Sequence, residues 1–510
     1  MTLDPKLVEA AKAAFPADGA GITLGAVQQG SSAHPEPMVR IPLGMLNRHG
    51  LIAGATGTGK TKTLQLVAEQ CAAAGIPVVV ADVKGDLQGL AAPGEEGDRV
   101  AKRAAETGYA WQPKAFPVEF LSLTGAKGAQ LRATVSSFGP MLLAKVLGLN
   151  DTQTSVLTLV FKYADDRGLL LLDFSDLRAV LEWLTGDGAE ELKAYGGMSK
   201  ATVGVLLREM VELEAQGAMQ FFGEPAFDLD DLMVVSGGVG RLSVLELADV
   251  QDKPALWSTF LMWMLAQLYA DLPEVGDLDK PKLVFFFDEA HLLFDDASKA
   301  LQDQIEQVVR LIRSKGVGVF FITQSPKDIP ASVLGQLGHK VQHALRAFTP
   351  DDEKAMKAAA RTFPKTEFYD VQDTLTSLGI GEALVTVLTP RGTPTPPFAT
   401  RLIPPASRMA ALEPAAFQAQ LAGSSQVRKY ATAVDRESAR EMLERRVAEM
   451  NEAAEAAAGG SADAPAPARR GRAEKSTVQK ILESPTTRAV ATQLTRTLLG
   501  ALLGSPRRRR

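Results

Sequence analysis

The chain holds a single cysteine, Cys71, in 510 residues, which excludes an intramolecular disulfide and any multi-cysteine zinc site. Long apolar runs are missing too: no stretch approaches the roughly 18 consecutive apolar residues of a membrane span. The opening stretch, MTLDPKLVEAAKAAF, is mixed in charge and has no apolar signal core, so the expected location is cytoplasmic. No short-period repeat runs along the chain, which argues against a solenoid. An overall positive charge is also lacking. The formal net charge is −5, and from Gly459 onward eleven Lys/Arg face three Asp/Glu, so the remaining body is distinctly acidic. Composition therefore gives no help to a nucleic-acid reading, which must rest on local patches.

What is present is the 46% hydrophobic, 23% charged content of a globular protein long enough for more than one domain. Apolar runs bounded by turn residues recur as GLIAGA, VVVAD, VEFLSL, RLSVLEL, LVFFFD, GVFFITQ, KVQHAL and EALVTVL, and helical periods alternate with them. That alternation predicts an α/β fold around a largely parallel sheet. The expected organisation is a lead-in (1–46), a first core segment (47–137), an all-helical insertion (138–227) and a second core segment (228–404). C-terminal helices (405–458), a low-complexity Ala/Pro/Arg linker (459–475) and an amphipathic basic tail (476–510) follow.

Residues 54–61, GATGTGKT, follow an apolar strand and open a helix, the context a phosphate-binding loop requires. Glycines let backbone N–H groups turn toward phosphate oxygens, and the helix N-terminus adds a positive dipole end. Gly54, Ala55, Thr56, Gly57, Thr58, Gly59, Lys60, Thr61 and Lys62 are the expected ATP cradle. Lys60 would reach the β- and γ-phosphates, and the Thr61 hydroxyl would bind Mg²⁺. LVFFFDEAH supplies the acidic strand end: Asp288 to hold Mg²⁺ through water, Glu289 to act as general base. Gln324 ends a later strand and is a candidate to sense the γ-phosphate or orient water. Arg310 and Arg313, spaced i, i+3, are candidates to stabilise transition-state charge across a subunit boundary, although exposed helix arginines are commonly just solvated.

The tetrapeptide DEAH also suggests the two-domain helicases named for it. Those need a second nucleotide-facing domain, whereas one or two strands and then helices are expected after Gln324. A single catalytic domain takes the other side of its nucleotide site from a neighbour, which implies a ring. His339 and His343 lie in a strand pattern without an acidic ligand nearby, so no metal site is assigned to them. Trp183, Trp257 and Trp263 sit in apolar helical patterns and are expected in the core rather than as base-stacking platforms.

NRHGLIAGATGTGKTKTLQ, VVVADVKGDLQGL, LPEVGDLDKPKLVFFFDEAHLLF and IRSKGVGVFFITQSPKDIP resemble the HerA/FtsK superfamily of ring-forming ATPases, in particular its HerA-like, YjgR-type bacterial branch, over residues 20–440 or so. The resemblance implies a RecA-like core, a homohexamer and DNA as the translocated substrate. It also implies a trans arginine on the helix before the Gln-ending strand, where Arg313 fits better than Arg310. A cis arginine is implied near the next strand end, where KVQHALRAF offers Arg346. Asp82 and Lys84 of DVKGD recur in the superfamily without an assigned role. HerA itself carries an N-terminal β-barrel that engages a nuclease; some 50 residues precede the loop here, so that partnership is not carried over. The expected function is a Mg²⁺-dependent, ring-forming ATPase coupled to DNA translocation. The alternatives are an ATPase that remodels protein and a nucleotide-dependent scaffold.

Overall fold

The computed structural model describes residues 4–459 apart from 17–18, 296–298, 347–348 and 435. The linker and basic tail, from residue 460 on, lie outside the described residues, as does the side chain of Trp257. The strands are β1 (Gly21–Gln29), β2 (Ser32–Pro42), β3 (Gly50–Ala53), β4 (Val78–Asp82), β5 (Val118–Ser122) and β6 (Ala129–Gln130). After them come a short hairpin, β7 (Val235–Ser236) and β8 (Val239–Gly240), and then β9 (Leu242–Glu246), β10 (Leu283–Phe287), β11 (Val317–Thr323), β12 (His339–His343), β13 (Glu382–Thr386) and β14 (Phe398–Leu402). All but β7 and β8 form one sheet in the order β2-β1-β14-β13-β12-β3-β11-β10-β4-β9-β5-β6.

From β12 to β6 every pairing is parallel, and from β12 outward to β2 every pairing is antiparallel. The parallel part is buried on both faces, so its strands read as unbroken apolar runs. Successive residues serve opposite layers. Phe285, Phe287, Val319 and Phe321 enter one core with the helices that follow β6, while Val284, Phe286, Phe320 and Ile322 enter the other with Leu64, Val67 and Cys71 of the helix after the phosphate loop. This is an α/β fold around a mostly parallel sheet.

Helices α1 (Pro5–Ala14), α2 (Lys60–Ala73) and α3 (Asp98–Thr107) precede β5. Between β6 and β7 the regular elements are helical: α4 (Val135–Val146), α5 (Asp151–Asp166), α6 (Phe174–Thr185), α7 (Ala189–Leu192) and α8 (Lys200–Ala215), with short 3-10 turns. Asn150 and Asp173 start α5 and α6 through reciprocal capping boxes. Helices α9 (Pro254–Asp271) and α10 (Lys299–Ile312) flank β10 in sequence. Trp183 and Trp263 are core residues, at 5% and 2% exposure. Residues 1–447 form one compact unit; the described part of the remainder continues the helix Ala439–Gly459. Among the described residues no helix is long and apolar enough to cross a membrane.

Two expectations need correcting. The stretch expected as a bare lead-in contains β1 and β2, which join the sheet through β14. Its Pro- and Ser-containing sequence reads as turn because β2 is an edge strand, where a missing backbone donor costs no ladder bond. After Gln324 there are three strands, not one or two: FATRL, whose Thr400 and Arg401 break up its apolar residues, forms β14.

Candidate functional site

Parallel strands deliver their loops to one edge of the sheet, and the sequence motifs collect there. The loop after β3 turns sharply at Gly54 (φ 152°), where a Cβ would lie 2.5 Å from the Cβ of His343 on the neighbouring β12. No larger residue fits. Gly59 (φ 113°) then sits immediately before α2, whose first residues are Lys60 and Thr61. Lys60 is buried, with Nζ 2.7 Å from the Gly54 carbonyl and 3.2 Å from that of Ala55. Burial holds its ammonium below the ordinary pKa, against the opposing pull of Glu289. Thr61 and Lys62 are half-buried beside it. Burial likewise lowers Lys62, while the charges of Asp86, Asp82 and Asp288 raise it, so this lysine lies within the field of the acidic edge.

One strand, β11, separates β3 from β10, so the DEAH end stands beside the loop without touching its strand. Asp288 is 3% exposed; its Oδ1 accepts the Glu289 N–H at 3.0 Å, and its Oδ2 is buried without a partner. Burial first, and the neighbouring Glu289 charge second, push its carboxyl up to about 7. Glu289 is 7% exposed and takes a left-handed backbone conformation (φ 47°), uncommon for a side chain of this size. Its Oε1 accepts a hydrogen bond from Lys84 Nζ, and its Oε2 lies 3.4 Å from His291 Nδ1.

The DVKGD turn explains how Lys84 gets there. Asp82, at the end of β4, accepts from the backbone N–H groups of Lys84, Gly85, Asp86 and Leu87, folding the turn around its own carboxylate. Asp82, Asp86 and Asp288 place carboxylate oxygens within 4.8 Å of one another. The oxygens of Asp82 are committed to that turn, whereas Asp86 Oδ1 and Asp288 Oδ2 are unpartnered. A glycine-turned loop with a buried lysine, facing orphaned carboxylate oxygens, is a donor set that fits a triphosphate with Mg²⁺. Asp288 and Asp86 are the residues whose free oxygens would hold such an ion.

Gln324, one residue past β11, is exposed and lines a cleft of about 420 Å³ with Ala55, Thr56, His291 and Arg346. Arg346 reaches this edge because β12 pairs with β3. The structure thus brings together the loop, Asp288, Glu289, Gln324 and Arg346. Arg313 is elsewhere. It precedes β11, and the seven residues of that strand span roughly 20 Å at about 3.3 Å each. At the opposite edge Arg313 lines a second cleft, of about 460 Å³, with Arg310, Arg48 and Lys340. Burial, and then repulsion from Arg48, hold its guanidinium below the ordinary value. Arg48 pairs there with the 87%-exposed Asp277 at 3.3 Å.

Several of these residues were not singled out from sequence. Arg48 and His49 stand in NRHG, directly before β3, and adjacency to the phosphate-loop strand was the available signal. His49, fully buried at φ 58°, accepts the Val319 N–H on Nδ1 (3.0 Å), which leaves Nε2 to donate to the Val309 carbonyl (2.8 Å). Burial lowers its pKa to about 4, so it is neutral. It ties β3 to β11 and to the end of α10, the helix that carries Arg310. His339 and His343 are likewise buried struts, bonded to the Met45 carbonyl and to Thr63 Oγ1. Gln65 and Glu69, on the buried side of α2, hold segment 406–408.

Comparison with known proteins follows the same line. A probable helicase of Methanocaldococcus jannaschii, MJECL08, is 30% identical over 155 residues, 28% of either chain. The DNA double-strand break repair helicase HerA of Sulfolobus acidocaldarius is 20% identical over 358 residues, 68% of this chain and 64% of that one. The chain therefore spans less than two thirds of the length of these relatives. Among solved structures, VirB4 of Thermoanaerobacter pseudethanolicus aligns over 76% of this chain and 98% of its own, at 17% identity and a TM-score of 0.45. The bacterial conjugative coupling protein TrwB aligns over 78% and 99%, at 15% identity and 0.49. The family model for the helicase HerA-like C-terminal region matches residues 28–510. The chain therefore belongs to the helicase HerA-like C-terminal family.

Proposed function

We propose that this protein is a Mg²⁺-dependent ATPase, with ATP as its nucleotide, that works as a ring of identical subunits, a hexamer, and couples hydrolysis to movement along DNA. One observation carries the reading: a single chain holds two complementary half-sites at opposite ends of β11. The acidic, loop-bearing edge has the groups to bind and cleave a triphosphate. The opposite edge gathers Arg48, Arg310, Arg313 and Lys340 around one exposed carboxylate, an arrangement that suits an anion brought by another copy.

In this reading Lys60 faces the β- and γ-phosphates, and Thr61 and Asp288 face the metal, which when bound neutralises developing phosphate charge. Glu289 takes the proton of the attacking water, and its link to Lys84 fixes where its Oε1 points. Gln324 orients that water, Arg346 serves as the cis arginine, and Arg313 enters from the neighbour. DNA as substrate is supported by the relatives named as helicases. Turnover of the full-length protein, measured with single-stranded, double-stranded and no DNA, tests it. Stimulation by DNA supports translocation, and slow turnover indifferent to DNA favours a protein-remodelling ATPase or a scaffold.

A further inference from the structure

The phosphate loop lies mid-sheet, with β11 and then β10 on one side, and β12 and then β13 on the other. The carboxylates that face the reacting phosphate end β10. A nucleotide laid across the loop with that end toward Glu289 extends its other end toward β13. A slot of about 300 Å³ is found there, and it shares Gly59, Lys62 and Thr63 with the loop and the start of α2. Its walls are mainly apolar: Leu66, Ile380, Pro404 and Met409 contribute, with Arg99 at the rim.

These walls are fixed by specific bonds. The Gly381 N–H donates to the Thr58 carbonyl of the phosphate loop at 3.0 Å, and Arg103 donates to the carbonyls of Gly381 (2.8 Å) and Ile380 (3.0 Å). The facing segment is clamped to α2: Glu69 accepts the N–H groups of Ala406 (2.6 Å) and Ser407 (3.0 Å), and Gln65 donates to the Arg408 carbonyl (2.8 Å). Against this rigid frame Ile380 is 70% exposed and Met409 38% exposed, two large apolar side chains in water beside a polar loop. Flat apolar ligands are what such plates hold.

We propose that this slot receives the purine base of the bound nucleotide, gripped on its faces by Ile380, Pro404 and Met409. The proposal rests on the ATPase reading and adds the base-binding residues to it. Lys62, Thr63 and Arg103 already hold other partners, so few side chains remain to read the edge of the base. The slot consequently discriminates weakly between adenine and guanine, since stacking tolerates any base.

The test is calorimetric binding of ATP, GTP and inorganic tripolyphosphate, each with Mg²⁺, to full-length wild type and to Ile380→Ala, Met409→Ala and the double variant. Ile380 is largely solvent-exposed, so its truncation leaves the fold intact. The expected result is ATP affinity lowered roughly tenfold in the double variant, GTP within about tenfold of ATP in the wild type, and tripolyphosphate unchanged throughout. Unchanged ATP affinity with intact tripolyphosphate binding would overturn the slot while leaving the phosphate-loop reading in place. GTP bound more than about 100-fold weaker than ATP would overturn the face-gripping account, because that ratio requires edge recognition. If neither ATP nor tripolyphosphate binds the wild type, both readings fall together.

Discussion

The two ends of β11 make opposite environments from the same strand. Beyond Thr323 lie the phosphate loop and the carboxylates of Asp82, Asp86, Asp288 and Glu289, mostly buried. Before Val317 lie Arg48, Arg310 and Arg313, with Lys340 from β12. At the first edge, acid is concentrated and desolvated enough that Asp288 is pushed up to about 7. At the second, the guanidinium groups of Arg48 and Arg313 repel each other beside the exposed carboxylate of Asp277. Each edge is electrostatically unfinished in the sense that the other would complete. Arg313 lies a strand length of roughly 20 Å from the loop of its own chain, so in the proposed ring it would serve a second copy.

The largest effects should come from the acidic edge alone. Lys60→Ala removes the cation facing the phosphates and should abolish hydrolysis and weaken ATP binding. Glu289→Gln keeps the shape and removes the base, so ATP binding should survive while turnover falls roughly 10²–10⁴-fold. A Glu289→Gln protein that turns over at the wild-type rate would show that the acidic edge is not where water is activated.

The comparison itself is tested next. Arg313→Ala should leave ATP binding nearly intact and lower turnover by roughly 10³-fold, the scale of an arginine supplied in trans. Mixing Arg313→Ala with Lys60→Ala subunits should restore part of the activity, because an interface then pairs an intact loop with an intact arginine. Wild-type protein that stays monomeric and fully active on dilution would dissolve the two-edge argument.

A smaller effect sharpens it by asking how the edges communicate. His49 bridges β3, β11 and the end of α10 through one accepted and one donated hydrogen bond. His49→Ala should cost roughly 2–3 kcal/mol of stability through the cavity and the two orphaned backbone groups. Loss of arginine alignment should lower turnover about 10- to 100-fold with little change in ATP affinity. Gln at this position can still donate toward Val309, whereas Asn can only accept from Val319. Turnover better preserved in His49→Gln than in His49→Asn would identify the helix link as the one that matters; the reverse order would place the coupling in the sheet.

Much of this organisation was legible in the sequence, for physical reasons. Strands buried on both faces must be continuously apolar, and a phosphate loop must carry its glycines, so β3, β4, β10 and β11 and the residues at their ends stood out. In the antiparallel flank β13 stood out as EALVTVL, but β1, β2 and β14 did not, because β2 is an edge strand that carries Pro and polar residues and Thr400 and Arg401 interrupt β14. The spatial relation of Arg313 to the loop could be expected only through resemblance, since it depends on which end of a strand a residue occupies in the sheet. Hidden most deeply were the buried polar struts, His49, Gln65 and Glu69. Each lies inside an otherwise ordinary pattern, and its partner is 260 or more positions away.

The smallest predicted effect contrasts the struts of the two edges. His49 is held neutral, with its pKa lowered to about 4 by burial. Glu69, which anchors the wall of the slot beside the loop, is pushed up to about 7, again chiefly by burial, while its bonds to Ser407 and Ala406 pull the other way. For a carboxyl whose pKa is higher in the folded than in the unfolded chain, the native state binds more protons between the two values, so stability is fully present at low pH and is lost as pH rises through about 7. The neutral histidine has the opposite sense: its contribution is present above the unfolded value of 6.5 and is lost as pH falls toward about 4. Glu69→Gln removes the first of these titrations. Its amide puts an NH₂ where the carboxyl has its second oxygen and cannot accept both backbone N–H groups, so the variant should be less stable than wild type at about pH 5. Between about pH 5 and pH 8, however, it should lose less stability than wild type does, by at most about 3 kcal/mol from a shift of this size. Asp82, Asp288 and Glu246 share the raised direction and remain in both proteins, so the informative quantity is the difference in slope between variant and wild type in urea unfolding. Parallel slopes would mean that Glu69 is ionised in its clamp at every pH tested, and that the wall of the slot is held by a charge rather than by a proton-bearing carboxyl.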